Sequence, residues 1–244
     1  GIGLAKFHLL SSDIDCSKLG NSMKNFHDTS YFINKYIITL KEYDFTKLDD
    51  EVKNRIHDLT ECLSSHILFV DYLLKSLSKE SIDNNVIHGD PKLSNFLFDI
   101  KKKFVVSLVD LDTVSSGYLL TDLADCIRSI CNSSGEYPYM KDNICFDINS
   151  CMYFLKGYLS KINIKNDSSF RYLQEFIYLI IFELTIRFLT DFLQSNKYFK
   201  IKYETHNLFR AEGQYRLLSS FLIQITNVSN ELQEFGISPN SIFI

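Results

Sequence analysis

The feature that most constrains the fold is an amphipathic helical pattern over residues 49–78. Its apolar residues recur at spacings of three and four, which places them on one helix face. They are Val52, Ile56, Leu59, Leu63, Ile67, Val70, Leu74 and Leu77. Gly and Pro number only 9 and 3, fewer turn residues than a β-sandwich or barrel normally needs. The 244 residues therefore favour a mainly helical protein, and their 45% hydrophobic content supplies a core.

A small β element interrupts the helical patterns. Short apolar runs at residues 86–88, 95–98 and 104–109 predict strands, and residues 100–103 predict a hairpin turn between the last two. Helical periodicity covers most of the remaining chain. The predicted helices are 2–10, 31–42, 121–132, 148–161, 168–195 and 206–226. Polar loops at the strand ends are where chemistry is expected.

Charge and cysteine content exclude several classes of protein. The net charge of −4 argues against nucleic-acid binding. The six cysteines include no C-x-x-C pair, so reduced core thiols of a cytoplasmic protein are expected, with an extracellular disulfide set as the alternative. The start of the chain lacks a signal-peptide pattern. The most apolar stretch, 176–193, carries three charged residues and is too polar for a membrane span.

The most informative stretch is His88-Gly89-Asp90-Pro91-Lys92-Leu93-Ser94-Asn95, followed by Val109-Asp110-Leu111-Asp112. Phosphoryl transfer needs a carboxylate that orients the acceptor hydroxyl, and oxygen ligands that hold Mg²⁺ against the nucleotide phosphates. Protein kinases arrange these groups as D-x-x-x-x-N, with a metal-binding aspartate at a later strand end. Asp90, Asn95 and Asp110 have this order and spacing.

With His-Gly ahead of the aspartate, the loop resembles that of the aminoglycoside phosphotransferase/choline kinase family. The resemblance implies that Asp90 is the catalytic base and that Asn95 and Asp110 are Mg²⁺ ligands. Lys92 lies two residues past the base, where it would neutralise charge on the moving phosphoryl group. Asp112 would assist the metal indirectly. ATP and Mg²⁺ are the implied cofactors.

Each of these residues also has an ordinary structural interpretation. Asp and Asn favour turns, Asp110 alone would cap a strand, and Lys92 alone would be a solvated surface lysine. His88 is assigned a structural role that braces the loop. Their combination in order is what makes the kinase interpretation specific.

Downstream, Gly117-Tyr118-Leu119-Leu120-Thr121-Asp122-Leu123-Ala124 resembles the Gly…Asp-Leu-Ala segment of the same family. Asp122 would lie at a helix N-terminus, where negative charge is favoured, and would anchor the catalytic loop. Asp125 and Arg128 are expected to be surface or loop-bracing groups.

The C-terminal third narrows the resemblance to N-acetylhexosamine 1-kinases. The segments that carry it are Arg187–Leu193, Lys197–Lys200 and His206–Ala211 with Gln214, together with His8 and Phe26-His27-Asp28-Thr29 near the start. Arg187 and Tyr198 match positions that bind sugar in those kinases. The resemblance therefore implies a small sugar as acceptor, with ATP- and Mg²⁺-dependent transfer to the anomeric hydroxyl of an N-acetylhexosamine as the expected reaction.

Three charged residues, spaced four positions apart, lie on the otherwise apolar helix predicted for residues 168–195. Glu183, Arg187 and Asp191 form this stripe, and charges on such a helix must be paired or face a polar cavity. One interpretation is an internal salt-bridge ladder. The other is a sugar pocket in which Arg187 and Asp191 bond hydroxyls and an amide, while Tyr198 packs on the ring or donates its hydroxyl.

The fold class implied by these resemblances is α+β and mainly helical. Residues 1–244 would form the C-terminal catalytic lobe of a protein-kinase-like fold, with a small β insertion at the catalytic loop. A kinase of this type also has an N-terminal lobe with a phosphate-covering loop, a strand lysine and most of the adenine pocket. None of these is visible, and Gly1-Ile2-Gly3 is not a G-x-G-x-x-G loop. A missing N-terminal lobe and little turnover by this chain alone are therefore expected.

Two alternatives stay open. The same chemistry would serve another acceptor, such as an aminoglycoside, choline or a homoserine-like hydroxyl. A cationic acceptor would require an acidic pocket, whereas Arg187 between Glu183 and Asp191 suits a neutral sugar better. The other alternative is a non-catalytic pseudokinase or binding module, against which the presence of Asp90, Asn95 and Asp110 argues.

Overall fold

The computed structural model describes residues 1–20, 23–132, 134–135, 144–164 and 167–243. Three helices come first: α1 (Ile2–Ser11), α2 (Thr29–Glu42) and α3 (Asp50–Leu77). The strands β1 (Asn85–Ile87), β2 (Phe96–Asp99), β3 (Phe104–Leu108) and β4 (Ser115–Gly117) follow. The remaining helices are α4 (Leu119–Ile130), α5 (Ile148–Leu159), α6 (Leu173–Leu193), α7 (His206–Ile223) and α8 (Ile225–Glu234). The predicted fold class, mainly helical with a small β part, is confirmed.

Helix α3 shows how the sequence determines the longer elements. The Asp49 side chain accepts a hydrogen bond from the N–H of Val52 and caps the first turn. The negative charges of Asp50 and Glu51, also in the first turn, interact favourably with the positive end of the helix dipole. Most of the predicted apolar stripe is buried, with the rest packed partly buried at its edge. Burial of this one face stabilises the helix more than intrinsic propensity does.

Helix α6 forms the centre of the core. Apart from the stripe of Glu183, Arg187 and Asp191 it is mostly apolar, and nearly all of its residues are buried, as expected for a helix covered on most sides. Helices α2, α4 and α7 pack against it. Within the described residues, no helix is both long and apolar enough to cross a membrane.

The β part consists of two separate two-stranded sheets. Strands β2 and β3 form an antiparallel hairpin, whose predicted turn is held by Asp99 side-chain bonds to the N–H groups of Lys101 and Lys102. Strand β1 pairs with β4. The sequence prediction missed β4 because Ser115, Ser116 and Gly117 carry no apolar signal.

The cysteines are only partly core residues. All six are free thiols: Cys126, Cys131 and Cys151 are buried, Cys16 is half-buried, and Cys62 and Cys145 are exposed. The expectation of core thiols is therefore wrong for the exposed pair, which lie on the outer side of α3 and just before α5.

Candidate active site

The loop after β1 is fixed by a buried carboxylate. Asp122, in the first turn of α4, is completely buried and accepts the N–H of His88 at 2.6 Å and that of Gly89 at 2.8 Å. His8 of α1 contacts the same carboxylate at 3.0 Å through Nε2. Asp122 therefore joins α1 and α4 to the loop. This geometry is what the predicted anchor role requires.

His88 and Gly89 set the course of the loop. The Nε2 of His88 lies 3.0 Å from the carbonyl of Val109, and its Nδ1 lies 3.3 Å from the N–H of Asp90. One neutral tautomer, with the proton on Nε2, makes both bonds. Gly89 has φ +86, and an added Cβ would lie 2.5 Å from the Thr113 carbonyl oxygen. Only glycine fits this bend without strain, and the bend directs the next residue, Asp90, to a cleft.

Asp90 is partly shielded from solvent. Burial raises the pKa of its carboxyl, and the negative charge of Asp125 adds to this effect. Lys92 and Arg128 oppose the increase, and the Lys92 ammonium lies 2.5 Å from Asp90 Oδ2. The lysine predicted to act on the phosphoryl group is thus paired with the predicted base.

The predicted metal ligands flank the same loop. The Asn95 side-chain nitrogen donates to the Asp90 carbonyl at 2.8 Å, so the amide oxygen is the Asn95 atom that suits a cation. Asp110 follows β3 with φ 69, a left-handed conformation that costs an L-residue roughly 1 kcal/mol. Such strain clusters at functional sites. Asp110 and Asp112 are exposed toward the cleft.

A cleft of about 360 Å³ brings most of the predicted residues together. Asp90, Lys92 and Asp110 line this cleft together with Arg187 and Tyr198. Asn95 and Asp191 are not among its described lining residues.

Arg187 is enclosed by protein. Its guanidinium lies 3.3 Å from the Glu183 carboxylate, which also accepts the Thr29 hydroxyl at 2.7 Å. Burial alone would raise the pKa of Glu183, but His27, Arg187 and Thr29 outweigh it and hold that pKa below its ordinary value. The first two members of the charged stripe are therefore an ion pair at the wall of the cleft.

Asp191 faces the backbone. Its carboxylate accepts the N–H groups of Tyr198 at 2.8 Å and Phe199 at 2.9 Å, and the Asn207 amide at 2.9 Å. It thus positions the segment that carries Tyr198 and borders a second cavity of about 150 Å³. Its assignment as a sugar ligand stays a prediction.

Three further residues of the cleft received no chemical role from the sequence. Asp125 and Arg128 are not surface groups: both are buried, pair at 2.8 Å and line the cleft. His27 donates from Nε2 to the Gly89 carbonyl at 2.5 Å and lies 3.7 Å from Glu183 through Nδ1. Its only sequence signal was the Phe26–Thr29 resemblance.

Comparison with known proteins identifies the family of the chain. The family model described as the phosphotransferase enzyme family matches residues 3–141, more than half of the chain. The chain belongs to the phosphotransferase enzyme family. The matched region contains the catalytic loop, Asp110 and Asp122, whereas Arg187 and Tyr198 lie beyond it. Phosphotransferases of this kinase-like type generally use ATP and a divalent metal ion.

Among solved structures, choline kinase from Cryptosporidium parvum Iowa II is similar to this phosphotransferase. The match has 13% identity and a TM-score of 0.47, and it covers 99% of this chain and 67% of the other.

Proposed function

We propose that this phosphotransferase transfers the γ-phosphoryl group of ATP to the anomeric hydroxyl of an N-acetylhexosamine. The observation that carries the proposal is the shared cleft, which Asp90 on the family-matched loop lines together with Arg187 and Tyr198. A hydroxyl compound bound in this cleft would meet both a carboxylate and a guanidinium.

Asp90 is the proposed base. Its carboxylate orients the acceptor hydroxyl and takes its proton as the oxygen attacks the γ-phosphorus. The new O–P bond forms while the bond to the β–γ bridging oxygen breaks, and ADP leaves with that electron pair. The raised pKa of Asp90 moves the carboxyl toward the operating pH, where a general base is most effective.

Asn95 and Asp110 would hold Mg²⁺ through amide and carboxylate oxygens, which are donors of the kind this ion prefers. The described residues contain no group of three or more His, Cys, Asp or Glu side chains arranged to hold a metal. Mg²⁺ needs no such cage, since it takes one or two protein oxygens and fills its remaining positions with phosphates and water. Asn95 and Asp110 would be those ligands, and the metal would neutralise phosphate charge.

At the acceptor end, Arg187 and Tyr198 are proposed to bind the sugar. The guanidinium has planar N–H donors suited to an amide carbonyl or ring hydroxyls. Tyr198 is 57% exposed, so its ring and hydroxyl are accessible to a ligand. The similarity of these positions to N-acetylhexosamine 1-kinases supports this choice of acceptor.

We also propose that residues 1–244 act as a C-terminal catalytic lobe that works with a nucleotide-covering lobe. Among the described residues only helices and turns precede β1, so no described strand supplies the covering loop or the lysine used by kinases. Little turnover is expected from these residues alone. Mg²⁺-dependent turnover at an ordinary kinase rate, with no other chain present, would contradict this.

The test is ³¹P NMR of the full-length gene product with ATP, Mg²⁺ and either N-acetylglucosamine or N-acetylgalactosamine. A sugar 1-phosphate signal is expected with at least one epimer. Asp90→Asn should reduce its rate by about 10²–10⁴-fold, the usual contribution of a general base. Asp58→Asn, an exposed carboxylate on α3, is the matched control and should leave the rate unchanged.

The possible outcomes test the proposed kinase reaction and the proposed hexosamine acceptor separately. ATP left intact with both sugars, but consumed with another hydroxyl acceptor, would reject the hexosamine assignment and keep the kinase. Equal rates for wild type and Asp90→Asn would reject the assignment of Asp90 as the general base. ATP left intact with every acceptor would reject the catalytic proposal.

A further inference from the structure

Four aromatic rings surround the guanidinium of Arg187. Its Cζ lies 4.5 Å from the ring centroid of Phe32 and 5.1 Å from that of Phe26. Tyr198 and Phe199 lie at 5.9 and 5.8 Å. All four distances are within the range of cation–π attraction, about 6 Å. We call these four rings the aromatic cage.

Aromatic cages of this kind bind quaternary ammonium groups in many proteins. Here the aromatic cage contacts the Arg187 guanidinium, which is a cation of the protein itself. Glu183 fixes that cation from one side at 3.3 Å and is fixed in turn by Thr29 at 2.7 Å. Only 9% of the Arg187 side chain is exposed, so its guanidinium belongs to the packed wall rather than to solvent.

The aromatic cage forms part of the wall of the active-site cleft. Phe26, Tyr198 and Phe199 line the cleft with Arg187, and the same residues with Phe32 line the smaller cavity of about 150 Å³ behind them. Removal of the guanidinium would therefore leave an aromatic site adjoining both spaces. The Glu183 carboxylate would remain beside that site without the Arg187 guanidinium, with His27 and Thr29 as its remaining neighbours.

We propose that Arg187 determines acceptor specificity by occupying the aromatic cage, so that the cleft rejects acceptors with an ammonium group and admits uncharged ones. This inference rests on the proposed function, since it concerns the acceptor end of the same cleft. Two effects exclude the ammonium: the guanidinium already occupies the position within about 6 Å of all four rings, and its charge repels a second cation.

The test measures cation binding and needs no turnover. Tetramethylammonium is titrated into wild type and Arg187→Ala, and binding is followed by saturation-transfer NMR of its methyl protons. The wild type should show no saturable binding, and Arg187→Ala should bind at least about tenfold more tightly, as expected for a desolvated cation–π contact. Guanidinium chloride, at concentrations too low to unfold the protein, should compete.

Two variants serve as controls. Arg187→Lys keeps a cation in the cage and should still exclude tetramethylammonium. Arg187→Ala combined with Phe32→Leu removes the nearest ring and should lose most of the gained affinity. If Arg187→Ala does not fold because buried Glu183 loses the guanidinium, Glu183→Gln/Arg187→Ala removes that carboxylate charge, and this double variant should still bind more tightly than wild type.

Equal binding to wild type and to the folded Arg187→Ala or double variant would overturn the proposal, as would no binding to either variant. Loss of sugar phosphorylation with gained cation binding would support the cage and is expected if Arg187 also binds sugar. Failure of every acceptor in the ³¹P experiment would reject the catalytic proposal but would leave this binding result unaltered. The two proposals therefore fail separately.

Discussion

The carboxylate of Asp122 accepts the backbone N–H of Gly89 at 2.8 Å, and this bond fixes the bend directly before Asp90. Because Asp122 is completely buried, the bond is not weakened by competing water. A carboxylate that accepts N–H donors makes charge-assisted hydrogen bonds, which are stronger than neutral ones. The position of the proposed base thus depends on a residue in a different secondary-structure element.

Asp122→Ala should lower the free energy of unfolding by about 3 kcal/mol or more, because it strands two buried N–H groups that lose charge-assisted bonds. Urea unfolding monitored by circular dichroism measures this. Asp58→Ala removes an exposed carboxylate from α3 and should change stability by no more than about 0.5 kcal/mol. Equal effects of the two substitutions would show that Asp122 does not anchor the loop.

Gly89→Ala should disrupt the loop through both conformation and sterics. An added Cβ would lie 2.5 Å from the Thr113 carbonyl oxygen, and φ is +86. Gly236→Ala is the matched control, because Gly236 has φ +76 with nothing within 4 Å of an added Cβ. It isolates the conformational cost, about 1 kcal/mol. Gly89→Ala should cost clearly more in urea unfolding; equal losses would contradict the steric argument.

The sequence predicted the elements whose side chains carry a periodic signal. Helix α3 was predicted almost to its ends, because its buried stripe repeats with the helical period. Strand β4 was missed because its Ser-Ser-Gly sequence has no such signal, and it is a strand only through pairing with β1. The break at Gln224 between α7 and α8 was missed too, since no Gly or Pro marks it.

The candidate site was predictable only where it is continuous in sequence. Asp90, Asn95 and Asp110 lie within one short segment whose spacing matches a known pattern. His27 contacts Gly89 from 62 positions away, and the aromatic cage joins rings from two distant segments. Such contacts depend on how distant segments pack together, as α2 does against α6, and the local pattern does not encode that packing.

Glu175 should make stability depend on pH. This α6 residue is completely buried, and burial raises its pKa to about 7 against opposing effects of its own backbone N–H, Asn240 and Arg171. Between an unfolded pKa near 4.5 and the folded value, the folded state binds more protons than the unfolded state. The free energy of unfolding therefore falls as pH rises through this window, by roughly 1.4 kcal/mol per unit of pKa difference.

Glu175→Gln should remove that slope and make the protein more stable than wild type at pH 8. Urea unfolding of both proteins at pH 5, 6, 7 and 8 measures it, with the exposed Glu61→Gln on α3 as the control. Parallel stability curves for wild type and Glu175→Gln would show that Glu175 does not titrate in this range.

His27 should add a pH dependence of the same sign, stabilising the folded state at low pH. Burial lowers the pKa of its imidazole, but Glu183, the Gly89 carbonyl and Asp125 outweigh burial and raise it above its ordinary value. A raised folded pKa means that the stabilisation is complete below the unfolded pKa, near 6.5, and is lost as pH rises through the folded pKa.

His27→Gln retains a donor for the Gly89 carbonyl but carries no charge. The stability difference between wild type and His27→Gln should therefore be largest near pH 6 and shrink above neutral pH, as measured by urea unfolding across that range. Exposed His57→Gln should give no comparable trend, and a difference for His27→Gln that is constant with pH would show that the imidazole is not charged beside Glu183.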